Sequence, residues 1–106
     1  MPISESKMIK QASVNLNKIF DTKAFPARKT LTYEQVVEKL AAVIEYLLQN
    51  EHKRLLHIIY RIDIDERKFT AALNLPTLAL VAERVAELVI ERELQKVQFR
   101  LKYSSN

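Results

Sequence analysis

The sequence predicts an all-α fold, a small bundle of four to five helices closed by one long C-terminal helix. Three observations carry this. The chain of 106 residues has no Gly. Its apolar residues recur at helical rather than strand spacing in successive segments. From Thr77 to Tyr103 the sequence contains nothing that interrupts a helix.

The missing Gly matters because Gly supplies positive φ, close backbone approach and the tight hairpin turns that many-stranded sheets need. It also excludes phosphate-binding loops, dinucleotide fingerprints and Gly-dependent nucleophile elbows. With 48% hydrophobic and 28% charged residues, the chain can build a packed core. Its length fits a single helical domain over 1–106, with residues 1–4 and 104–106 expected as flexible termini.

The first helix is read over 5–20, where Ile9, Ala12, Leu16 and Ile19 form an apolar stripe. Ser4 or Ser6 could cap it. A loop follows over 21–31, since Pro26 biases Phe25 away from helical angles. Thr32 with Gln35 makes a capping box for the next helix. There Val36, Val37, Leu40, Ala41, Val43, Ile44, Leu47 and Leu48 fall within about 160° of arc. Asn50 is expected to break this helix or start the next.

Residues 51–62 are apolar nearly all round after a basic start, which predicts a central helix with several neighbours. A competing pattern exists. Leu56, Ile58, Tyr60, Ile62 and Ile64 alternate with polar residues, as do Val97, Phe99, Leu101 and Tyr103. A two-stranded pairing of 57–64 with 97–103 is therefore the α+β alternative. Helix is favoured because an isolated strand pair is marginal and no hairpin turn is present. Asp63 with Glu66 then reads as a helix N-terminus, Asn74-Leu75-Pro76 as a stop, and Pro76 as the first turn of the last helix.

From Thr77 to Tyr103 an unbroken helix would be about 40 Å long. It carries two apolar stripes. Leu78, Val81, Ala82, Val85 and Val89 form one, and Ile90, Leu94, Val97 and Leu101 the other, rotated by over ~100°. One neighbour cannot cover both. The second stripe is expected to dock on a second copy of the chain or another protein, or to be covered by the first helix folding back.

The net charge of +4 lies wholly in the first thirty residues, which hold six Lys/Arg against two Asp/Glu. Lys7, Lys10, Lys18, Lys23, Arg28 and Lys29 are the candidate contacts to nucleic acid or an anionic surface, with Phe20 and Phe25 interleaved. A second basic cluster, Lys96, Arg100 and Lys102, has no acid after Glu93. The outline of a helix-turn-helix over 66–85 is disfavoured as a DNA reader, because its second helix starts with apolar residues.

No catalytic, cofactor or metal residues are assigned. The two His, His52 and His57, point about 140° apart on a helix, and His57 reads as a core residue. Asp63, Asp65 and Glu66 read as cap and first-turn acids rather than a cation site. Glu83, Arg84, Glu87, Glu91, Arg92, Glu93 and Lys96 read as the solvated side of the last helix. Without Cys there are no disulfides and no thiolate chemistry. A non-enzymatic helical interaction or assembly module, cytoplasmic and homodimeric or bound to another protein, is the leading functional expectation. Nucleic-acid or anionic-surface binding is the alternative, and no membrane association is expected.

Overall fold

The computed structural model describes residues 5–26 and 28–104; the expectations for 1–4, 105 and 106 lie outside them. Five helices follow in order: α1 (Glu5–Ile19), α2 (Tyr33–Asn50), α3 (His52–Ile62), α4 (Glu66–Leu73) and α5 (Leu78–Ser104). There is no strand among the described residues, so the alternative pairing of 57–64 with 97–103 is overturned. The alternating residues split between helical faces, Ile58, Ile62 and Val97 buried and Leu56, Tyr60, Phe99 and Tyr103 exposed, and helix wins because its backbone hydrogen bonds close locally.

The boundaries follow local chemistry. Thr32 Oγ1 accepts from the Gln35 amide at 3.1 Å, and Gln35 Oε1 accepts from the Thr32 amide at 2.9 Å, so the capping box forms as read. One residue, Glu51, separates α2 from α3 and flanks both. Asp63 is not the start of α4. It ends α3 in the left-handed region, φ 65°, its amide bonded back to Ile59 and Tyr60 carbonyls. Asp65 is the cap of α4, accepting from the Arg67 and Lys68 amides. Likewise Pro76 stays outside α5, and Thr77 Oγ1 accepts from the Leu80 amide at 3.2 Å. In a chain without Gly, Asp21 and Asp63 take the two positive-φ positions among the described residues, as a short polar side chain tolerates them best.

The long helix α5 is the spine. It packs on each of the other four helices, most extensively on α2, while α3 also packs on α2. At ~1.5 Å per residue α5 is about 40 Å long, in a molecule measuring 43 × 29 × 21 Å. The core gathers Leu16, Phe20, Phe25, Val36, Leu40, Ile44, Leu55, Ile62, Val85 and Val89.

The loop between α1 and α2 contributes to this core. The Asn17 side-chain amide donates to the Phe25 carbonyl at 2.7 Å and accepts from its amide at 3.2 Å. This grip turns Phe25 inward, and Phe20 and Leu31 are buried with it. Phe20 and Phe25 are therefore core residues, closed to base stacking.

Helix α3 is more one-sided than its composition implies. Leu55, Ile58, Ile59 and Ile62 are buried, while Leu56, His57, Tyr60 and Arg61 are exposed. His57 is thus a surface residue and not a core histidine. Only α2 and α5 pack on this helix extensively, and they cover one face.

Candidate interaction surfaces

The second stripe of α5 is covered within the chain. Ile90 and Val97 are buried, and Leu94 and Leu101 are half-buried. Helix α1 packs on α5, and the Asn15 Nδ2 group donates to Glu93 Oε1 at 3.0 Å across the contact. Ile90 and Val97 therefore offer no surface to a second copy, while Leu94 and Leu101 keep part of theirs.

Glu93 is the surprise of this contact. Its sequence neighbours place it on the solvated side, yet it is only 1% exposed. Its carboxylate holds the Asn15 hydrogen bond and sits 3.8 Å from the Arg100 guanidinium. A carboxylate removed from water needs such partners.

What the fold leaves uncovered is a different apolar set. Tyr60 is 75% exposed, Phe99 and Tyr103 are each 63% exposed, and Leu56 and Leu73 are exposed to a lesser degree. Leu56 and Tyr60 of α3, Phe69 and Leu73 of α4, and Arg92 and Gln95 of α5 line one groove of about 970 Å³. Its floor is apolar, with Ile59 and Ile64. Its rim is charged, with Asp65, Glu66 and Arg67. Arg92 pins the wall by donating from Nε to the Asp63 carbonyl at 3.2 Å and pairing with its carboxylate at 3.6 Å. On α5, Arg92, Gln95, Phe99 and Tyr103 fall within about 80° of arc. The groove wall therefore runs on into the aromatic pair, whose rings lie 4.6 Å apart.

The basic residues distribute differently. Lys7, Lys10 and Lys18 are exposed on α1 and share about 80° of its outer face. Lys23, Arg28 and Lys29 are exposed in the loop before α2. Lys18 also lines a smaller hollow with Asn15, Ile19, Arg61, Ile62, Glu93, Lys96 and Arg100. Sequence reading placed Lys96 and Arg100 in a basic cluster but had no means of bringing Arg61 and Lys18 to them.

The remaining reactive side chains are engaged structurally or stand apart. Asp63 and Asp65 flank helix ends, and Ser13 donates to the Ile9 carbonyl at 2.8 Å. Among the described residues no group of three or more His, Asp or Glu could hold a metal ion. No helix among them is long and apolar enough to cross a membrane.

One titratable group outside these surfaces is perturbed. Burial raises the Tyr33 phenol above its usual value, and the Glu91 and Glu87 carboxylates of α5 add to the effect. Comparison of the chain with protein-family models, curated proteins and solved structures gave no match.

Proposed function

We propose that this chain is a non-enzymatic protein–protein interaction module whose docking surface is the α3–α4–α5 groove with its aromatic extension. The observation that carries the reading is the exposure of Leu56, Tyr60 and Leu73 in the groove together with exposed Phe99 and Tyr103, which share a face of α5 with the groove's Arg92 and Gln95. Contiguous large apolar residues with a charged rim are the surface anatomy of association sites, where aromatic anchors supply most of the energy. The occupant is a second copy. Groove and aromatic pair share one face of α5, so a two-fold axis places the Phe99–Tyr103 pair of each copy in the groove of the other.

Sedimentation velocity at micromolar concentration tests this. A dimer is expected for the native chain and a monomer for Tyr60→Glu and for Phe99→Glu. A native chain that stays monomeric overturns the self-associating form of the proposal. A dimer insensitive to both substitutions overturns the surface.

A second reading has its own support. The shared face of Lys7, Lys10 and Lys18 on α1 fits an extended anionic surface such as nucleic acid. It predicts binding that weakens with salt and with replacement of these three by Gln. Binding indifferent to salt removes it.

A further inference from the structure

The small hollow where α1, α3 and α5 meet holds about 250 Å³ and carries an electrostatic imbalance. Lys18 comes from the last turn of α1, Arg61 from the last turn of α3, and Lys96 and Arg100 from one face of α5. Four cations thus converge from three helices. Against them stand one carboxylate, Glu93, and the ends of α1 and α3, each worth about half a negative charge. An excess of about two positive charges remains.

Part of the cation set is spoken for. Lys96 Nζ donates to the Ile62 carbonyl at 2.7 Å, satisfying an end carbonyl of α3, which leaves two of its three N–H donors. Arg100 faces Glu93 at 3.8 Å. Lys18 and Arg61 make no ion pair among the described residues. The ends of α1 and α3 offset about half a charge for each of Lys18 and Arg61, and no carboxylate among the described residues is paired with either.

We propose that the hollow binds a terminal phosphate group. A phosphomonoester carries about −1.5 to −2 charge at neutral pH with three acceptor oxygens, which matches the excess. A backbone phosphodiester carries one charge and matches it less well. Arg61 and Arg100 offer planar forks suited to two oxygens each, and Lys18 a point charge. Glu93 is buried and already bonded to Asn15; it holds Arg100 over the hollow. The site does not require the groove, nor Lys7 and Lys10.

The test is an amide NMR titration of the full chain with inorganic phosphate and with glycerol phosphate, against potassium chloride at matched ionic strength. Saturable shifts are expected around Lys18, Arg61 and Arg100. Affinity should fall about tenfold in Arg61→Gln, the loss expected for one charged hydrogen-bonding group, and likewise in Lys18→Gln. Both side chains are exposed, so the fold is expected to be unaffected. Lys39→Gln, a cation on α2 outside the hollow, should bind as the native chain does. Tighter binding of glycerol phosphate assigns a phosphorylated molecule, and tighter binding of inorganic phosphate assigns the free ion. Shifts that chloride reproduces, or equal losses in Lys39→Gln, overturn the site.

Discussion

Single residues carry much of the specificity of this small fold. Asp63 sits at φ 65° where Gly would be the usual choice. Replacing it by Gly or by Val removes the same carboxylate, so the two variants differ mainly in backbone cost. Asp63→Gly should be the more stable by about 1 kcal/mol, the left-handed penalty less the entropy of Gly. Urea unfolding of both variants measures this. Glu93 offers a second case. Asn15→Ala strips a hydrogen bond from a buried carboxylate and should cost roughly 1.5–3 kcal/mol. Most of that cost should vanish when Glu93 is replaced by Met, because no buried charge is then orphaned. A double-mutant cycle by urea unfolding checks the coupling, and additive losses would contradict it.

At the scale of elements, the helices are held by ends as well as faces. The reciprocal Thr32–Gln35 bonds satisfy two amides at the start of α2. Thr32→Ala should destabilise the protein by about 1 kcal/mol, read as a lowered urea midpoint with unchanged slope. This box was legible because it is written in four consecutive residues. The end of α3 was less so. Asp63, Asp65 and Glu66 all fit a helix start, and choosing among them needs the backbone angle at 63, which depends on Ile62 being drawn into the core. The one-sidedness of α3 was also hidden. Leu56 and Ile59 look alike in sequence, but Ile59 is buried and Leu56 is exposed.

For the whole molecule, α5 decides the arrangement. Tyr33 of α2 reports on its docking, since burial and the Glu91 and Glu87 carboxylates raise its phenol above the unfolded value of about 10. The folded state therefore keeps this proton longer. The associated stability is fully present below about pH 10 and is lost as pH rises through the folded value. An ultraviolet titration should show a late-ionising phenol that Tyr33→Phe removes. That variant should also lose less stability above pH 10 than the native chain. The proposed two-fold dimer belongs to this scale as well, because its anchors would come from three helices.

The all-α class, the principal helical segments, the capping box and the exclusion of Gly-dependent motifs were determined by the sequence alone. Each rests on neighbours within about four residues, the range over which helix hydrogen bonds and caps operate. Only the tertiary structure decided that Ile90 and Val97 are buried within the chain, that Glu93 is buried, that His57 is not, and that Lys18 and Arg61 meet Lys96 and Arg100. Those outcomes join positions as far apart as Asn15 and Glu93. A helical face announces that it needs a neighbour, but which neighbour arrives is settled by how all the faces pack at once.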